Sequence, residues 1–402
     1  MVQMADKFSA VVAGHICLDL IPALDHMAEG AFVELFRPGH LINAGPVLFS
    51  TGGPVSNTGL ALFRLGVPTR LIAKVGDDPF GGIVRSLVER FDPGLVQGLV
   101  TDAAVPTSYT VIINPPGVDR IFLHCPGAND HFRAQDVDLG LVAQAGLFHF
   151  GYPPIMRRMY LSGGTELAEV FRRAKAAGAT TSLDVSFPDP ASESGQVNWR
   201  EILAAALPNV DIFLPSLEEI LFMLRRKTFD RAPGGAAINL LTPNLLAELS
   251  GELMEMGARI VMIKLGDRGA YLRTARSERL RHMGRAAPDD LESWSDQELW
   301  APCFRVNVAG TTGSGDATIA GFLSALLRDF SPRQALTAAV AVGACNVEAA
   351  DALSGLRSWE ETLARIEAGW QRLPVALSAP GWAWDEKDQL WVGPAGQGLP
   401  AR

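Results

Sequence analysis

Residues 310–327 read GTTGSGDATIAGFLSALL, and the reading of the whole chain turns on them. The second half places Ile319, Phe322, Leu323, Leu326 and Leu327 at the 3.6-residue period of a helix that buries one stripe. The first half is a loop of small residues that leads into the helix. There the amides of Gly313, Ser314, Gly315 and Asp316 point out of the helix N-terminus, where the peptide dipoles also favour negative charge. Such a loop is a cradle for a phosphate or an oxyanion. It is neither the G-x-x-x-x-G-K-[ST] of a P-loop nor the G-x-G-x-x-G of a dinucleotide fingerprint. A carboxylate at its rim would repel a phosphate that was only stored, whereas a phosphoryl acceptor hydroxyl needs a base beside the cradle, a role that Asp316 fits. The plainer reading makes Asp316 the cap of its own helix.

Outward from this loop, short apolar, largely β-branched runs recur at 9–14 (SAVVAG), 70–75 (RLIAKV), 147–150, 181–185 (TSLDV), 210–214 (VDIFL) and 259–265 (RIVMIKL). Helical spacing lies between them. The 55–65 segment follows Pro54, whose missing N–H costs nothing at a first helical position, and stops at Gly66, which suits a left-handed cap. Strands alternating with helices imply an α/β fold with a mostly parallel sheet covered on both faces. Two stretches, 18–50 and 105–128, break the rhythm. The second holds SYTVII (108–113), the turn Asn114-Pro-Pro-Gly117 and RIFLH (120–124), a hairpin pattern. Both are expected to build a small second sheet acting as a lid, and its open strand edges invite pairing with a second copy, a homodimer. The polar 276–298 stretch reads as a long loop, and the tail beyond Ala379 as a segment pinned by Trp382, Trp384 and Trp391.

The bulk numbers exclude several classes. Of 402 residues, 48% are hydrophobic and 20% charged, enough apolar side chain for a sizeable core, and the net charge of −9 gives no positive field to gather nucleic acid or an anionic membrane. Cys17, Cys125, Cys303 and Cys345 form no C-x-x-C pair, so neither a zinc site nor a disulfide framework is signalled. No run reaches the ~18 apolar residues of a membrane span, and the first residues lack a signal-peptide pattern, so a cytoplasmic protein is expected. The seven histidines make no i, i+3 or i+4 ligand pairs; they read as structural, with His124 and His149 as candidates to touch substrate.

A second glycine-rich segment reads Thr51-Gly52-Gly53-Pro-Val-Ser-Asn57, then Gly66, then Gly76-Asp-Asp-Pro-Phe-Gly81. Gly52 and Gly53 permit close approach of a ligand, and Asn57, one turn into the helix, can bond a polyol. This segment and Gly310–Asp316, in this order and at this separation, resemble the two signature regions of the ribokinase-like (PfkB) carbohydrate kinases, over about Ala10 to Ile366. The resemblance implies a three-layer α/β/α kinase domain over residues 1–380, with a mostly parallel central sheet, a small β-sheet lid at about 18–50 and 105–128, and a tail at 381–402. It also implies ATP-dependent transfer to a hydroxyl of a small sugar or sugar derivative, with Asp316 as base and Gly313, Ser314 and Gly315 as the anion hole. In Gly14-His-Ile-Cys-Leu-Asp19 it makes Asp19 a substrate residue beside Gly52, Gly53 and Asn57. Glu219, in Leu214-Pro-Ser-Leu-Glu-Glu219, stands at the position that organises Mg2+ through water, although Ser216 replaces the usual asparagine. Lys264, Gly266, Gly269 and Thr311 border the nucleotide phosphates, and Gly343 and Asn346 lie where adenine is wrapped. Pro126-Gly-Ala-Asn129 resembles the segment after the lid hairpin. Two departures stand out: Gly151 occupies the place where ribokinase has a sugar-binding glutamate, and Gly310 replaces the aspartate that opens the second signature. A nucleoside kinase on the same scaffold, or a non-catalytic sugar-binding protein, are the alternative readings.

Overall fold

The SAVVAG run forms the end of strand β1 (Asp6–Gly14), and its side chains alternate between two cores: Ala10 and Val12 on one face, Val11 and Ala13 on the other. A strand buried on both faces reads as a continuous apolar run, which is why this one was legible. The computed structural model describes residues 6–24, 38–39, 41–114, 121–232 and 236–397. The strands after β1 are β2 (Cys17–Pro22), β3 (Val47–Gly52), β4 (Thr69–Gly76), β5 (Gly98–Asp102), β6 (Tyr109–Ile113), β7 (Ile121–Cys125) and β8 (Ala145–Gly151). They are followed by β9 (Thr180–Leu183), β10 (Ile212–Phe213), β11 (Ile260–Lys264), β12 (Ala270–Thr274), β13 (Glu298–Ala301), β14 (Ala383–Asp385) and β15 (Leu390–Val392).

Among the described residues, one sheet runs β14-β15-β13-β12-β11-β10-β9-β8-β1-β4-β5 and a second runs β3-β2-β6-β7. From β5 to β11 every pairing in the large sheet is parallel; β12, β13, β15 and β14 add to it antiparallel. The chain leaves β1 toward β4 and β5, then returns to place β8 on the other side of β1. That reversal is a topological switch point, and ligands of open α/β sheets bind beyond the strand C-termini at such a crevice. Gly14 and Gly151 are in register there. A Cβ on Gly14 would come within 2.4 Å of the Gly151 carbonyl oxygen, and one on Gly151 within 2.4 Å of Pro54, so no side chain fits at either position.

The 54–64 helix starts at Pro54 as the sequence indicated, and Gly66 takes a left-handed φ of 81° while Val67 N–H bonds Leu62 O at 3.0 Å, closing the helix end. Two expectations are corrected. The 276–298 stretch holds short helical turns at Ser277–Leu280 and Leu291–Trp294 and delivers β13, because apolar Leu280 and Trp294 are fully buried within an otherwise polar run. The described part of the tail, 381–397, joins the large sheet rather than standing apart from the domain: β15 pairs Trp391 with Trp300, and Trp382 packs 6.3 Å from Tyr271 and 6.4 Å from Trp300. The small sheet draws on both stretches that broke the α/β rhythm. It leaves Val47, Leu48, Phe49, Phe122 and Leu123 exposed along its edge strands. The turn residues Pro115–Gly117, and residues 25–37 and 40 of the first stretch, lie outside the described residues. Among the described residues no helix is long and apolar enough to cross a membrane.

Candidate active site

Asp316 is the third residue of the Ser314–Leu327 helix, yet it does not cap it: the N-cap is Gly313 at φ 70°, with no side-chain cap bond. Its carboxylate turns instead to the 54–64 helix and the end of β8. Asn57 Nδ2 donates to Oδ2 at 3.1 Å, Tyr152 OH to Oδ2 at 2.9 Å, and Thr58 Oγ1 to Oδ1 at 3.0 Å. Asp316 is 3% exposed. Burial pushes its carboxyl above the ordinary range, opposed by Lys264 and by the three donors. The two glycine-rich segments, more than 250 residues apart in sequence, thus meet at one carboxylate. The uncapped helix start leaves the first-turn amides facing out for an anion.

Asp19 lies on β2 opposite Ser50, two residues from the Gly52 corner. Gly52 is needed by the protein itself, since a Cβ there would lie 2.5 Å from Asp19 Oδ2. Gly53 makes room in the same way for His15, whose Nδ1 would be 2.5 Å from an added Cβ. These glycines therefore accommodate the chain's own polar groups, a more specific role than general access for a ligand. Cys17 Sγ donates to Asp19 Oδ1 at 3.3 Å, and burial pushes the Asp19 carboxyl up to about 6. Asn129 gives its amide to Ile16 O at 2.8 Å and takes Ile16 N–H at 3.2 Å, so the Pro126–Asn129 turn ties the small sheet's return to the end of β1.

Below the cradle sits Lys264, whose Nζ bonds Asp184 Oδ1 at 2.7 Å. Its charge is held up by Asp184, Glu219 and Asp316, against the opposing effect of burial. Asp184 and Glu219 are themselves pushed up by burial, with Lys264 opposing. Burial disfavours the charge on all three acids, and a divalent cation beside them would favour their ionised forms. No group of three or more potential ligands is close enough to cage a metal among the described residues, and Glu219 Oε2 already accepts Ser216 N–H at 2.6 Å in a helix-capping box. Mg2+ usually keeps several waters and takes one or two carboxylates beside phosphate oxygens, and Asp184 and Glu219 are the carboxylates here that could serve.

On the far side of the 310–316 loop a pocket of ≈320 Å³ is lined by Lys264, Gly266, Gly269, Thr311, Gly343 and Ser314 among others. Asn346 is not one of the lining residues: fully buried, it gives its amide to Ala352 O at 2.6 Å and holds the chain that follows its helix. Gly343 lets two helices touch, as a Cβ there would meet Thr318 Oγ1 at 2.3 Å. Gly310 is pressed on Ala350, whose Cα would be 2.8 Å from an added Cβ, so the departure from the family pattern at this position is built into the packing. In the 76–81 motif, Asp78 caps the next helix through Gly81 N–H and binds Thr107, a structural task rather than a chemical one.

Sequence reasoning missed Tyr152, Thr58, Asp184 and His15. Tyr152 has a left-handed φ of 64°, uncommon for a residue with a side chain, and it takes that turn directly after Gly151 at a strand C-terminus. The tyrosine between Gly151 and Pro153-Pro154 was the available signal.

A family model described as pfkB family carbohydrate kinase matches residues 8–359. The probable fructokinase-6, chloroplastic, of Arabidopsis thaliana is 24% identical over 367 residues, 87% of this chain and 80% of its own. Among solved structures, Arabidopsis thaliana ribokinase complexed with ribose and ATP superposes with a TM-score of 0.66 at 19% identity, covering 90% of this chain and 98% of its own. A putative ribokinase II of E. coli in complex with ATP and Mg2+ gives 0.63 at 19% identity, covering 90% and 99%. The matched stretch spans both glycine-rich segments and the carboxylate at which they meet, and it covers most of the chain: the protein belongs to the pfkB family of carbohydrate kinases.

Proposed function

We propose that the chain transfers the γ-phosphoryl group of ATP to a hydroxyl of a small sugar, with Asp316 accepting the hydroxyl proton. The observation that carries this reading is a buried carboxylate in the first turn of an uncapped helix whose start also lines a pocket, with Asn57 of the other glycine-rich segment bonded to that carboxylate. Asp19 and Asn57 bind acceptor hydroxyls on the crevice side. Lys264, Gly266, Gly269 and Thr311 border the nucleotide on the other. The amides of Gly313, Ser314 and Gly315 take up charge on the group in flight, so that positioning and electrostatics carry the catalysis. Glu219 would help hold Mg2+, which would supply charge neutralisation for the ATP phosphates when bound. Relatives named fructokinase support a sugar acceptor. The test is ADP release from ATP and Mg2+ with D-fructose, D-ribose, adenosine, 2-keto-3-deoxygluconate and D-fructose 6-phosphate. Turnover with a sugar is expected; turnover with adenosine alone would make the chain a nucleoside kinase, and turnover with none would sink the reading.

The Asp19 carboxyl sets a pH dependence. Because the fold favours its protonated form, Asp19's contribution to stability is full below its unfolded value near 3.8 and is lost as pH rises through about 6. The ionised form is the stronger acceptor for hydroxyl donors. Acceptor KM is therefore expected to rise by up to ~10-fold per pH unit below about 6, while KM for ATP stays flat. Asp19→Asn should abolish that slope and raise apo stability at pH 8 by on the order of 1–3 kcal/mol. A flat acceptor KM from pH 5 to 8 in the wild type would remove Asp19 from the acceptor site.

A further inference from the structure

His15 directly follows β1 at the switch point, and both of its ring nitrogens are buried without a hydrogen-bond partner. The residue is 2% exposed. A neutral imidazole carries one N–H donor and one acceptor, so two hydrogen-bonding functions are stranded, each taken from water without a replacement partner. Native folds pair nearly all buried polar atoms, and an orphan asks for an explanation. A leucine or phenylalanine would fill the same volume at no such cost. Asn57 adds a second orphan: its Nδ2 is committed to Asp316, and its Oδ1 is buried without a donor.

The surroundings of the ring say what would pair it. Its centroid lies 6.4 Å from that of Tyr152, the phenol on Asp316, and 5.4 Å from that of His124 on β7 of the small sheet. Nδ1 is packed on Gly53, one turn before Asn57. The imidazole thus lies between the small sheet, the Gly53–Asn57 turn and the tyrosine that touches the base. Among the described residues no cation bonds His15, Asn57 or Asp19, and the influences on the Asp19 charge are burial, Cys17 and Thr110. Among the described residues, a carboxylate or phosphate on the acceptor would enter beside Asp19 without a counter-charge. Burial also holds the His15 ring well below the ordinary histidine range, with His124 adding to the effect, so the ring offers no positive charge of its own.

We propose that His15 is an acceptor-binding residue, its neutral ring giving one hydrogen bond to and taking one from neighbouring hydroxyls of an uncharged polyhydroxyl acceptor, with Asn57 Oδ1 taking a third. This rests on the phosphotransfer reading above and narrows its acceptor class. The experiment measures KM for the acceptor and for ATP, and the apo melting temperature, in His15→Leu and His15→Gln, using whichever of D-fructose and D-ribose the wild type turns over. A rise of at least 10-fold in acceptor KM is expected for His15→Leu, with ATP KM unchanged and the apo melting temperature held or raised, since an unpaired polar group has been removed. His15→Gln, which keeps a donor and an acceptor, should recover part of the loss. A wild-type acceptor KM in both variants overturns the proposal and leaves the ring as packing or a water ligand. So does a lowered melting temperature in His15→Leu with a wild-type KM in His15→Gln. Preference of the wild type for 2-keto-3-deoxygluconate or D-fructose 6-phosphate over the uncharged sugars overturns the acceptor class. Absence of turnover with every compound removes the phosphotransfer reading, and this inference with it, whereas turnover with unaltered His15 variants removes this inference alone.

Discussion

Asp316→Asn is expected to lower kcat by ~10²-fold or more, as for loss of a general base, while leaving ATP binding and the fold in place. The geometry says why the fold should tolerate the change. Two of the three donors on the carboxylate, Asn57 Nδ2 and Tyr152 OH, meet at Oδ2, and the third, the Thr58 hydroxyl, meets Oδ1. An asparagine can keep its oxygen toward the first pair and turn its NH2 to Thr58, whose hydroxyl can accept as readily as donate. Burial already disfavours the ionised form, so a neutral isostere relieves a desolvated charge. The sign follows: the wild-type group's contribution to stability is lost as pH rises through its raised value, and Asp316→Asn should match or exceed the wild type's melting temperature at pH 8. Single-turnover measurements with saturating acceptor would locate the loss in the chemical step. Near-normal turnover would take the base assignment away from Asp316.

How much of this was legible depends on whether a residue's role shows in its local pattern. The 310–327 stretch was legible because a run of small residues, an acid and an apolar stripe each leave a trace in sequence, and Asn57 because it stands one turn beyond two glycines. Tyr152, His15 and Asp184 sit just beyond or at the ends of parallel strands, where the sheet rather than the sequence makes them neighbours. His15 and Tyr152 are 137 positions apart and become neighbours through the pairing of Gly14 with Gly151. Asn346 and Gly343 lay on a small-residue helix face, and the packing of that face on the 314–327 helix accounts for Gly343, while Asn346 holds its own following loop. The edge strands β14 and β15 are three residues each, too short for an alternation to register, and tryptophan packing fixes them in place.

The second large effect is expected from Gly315→Ala, which separates a ligand's need for glycine from the fold's. Gly315 has no positive φ, and an added Cβ would lie 3.7 Å from Lys264 Cδ and Nζ, ordinary contact. Nothing in the protein therefore requires glycine at this second position of the helix. Alanine there should stabilise by roughly 0.5–1 kcal/mol, since glycine gives up more backbone freedom on entering a helix. What requires glycine is the approach of a phosphoryl oxygen to the amides, and a methyl group beside Lys264 stands in that path. Losing one donor of such a cradle costs ~10²–10³ in kcat, so Gly315→Ala should fall by about that much while its melting temperature holds or rises. Gly313→Ala is the contrasting case, because φ of 70° and an added Cβ 2.6 Å from Ala352 Cβ make it costly to the fold as well. Loss of activity with loss of stability there would say little about chemistry. Loss of activity without loss of stability at Gly315 identifies the amides as the place where the transferred group rides, and full activity in that variant would show that the group passes elsewhere.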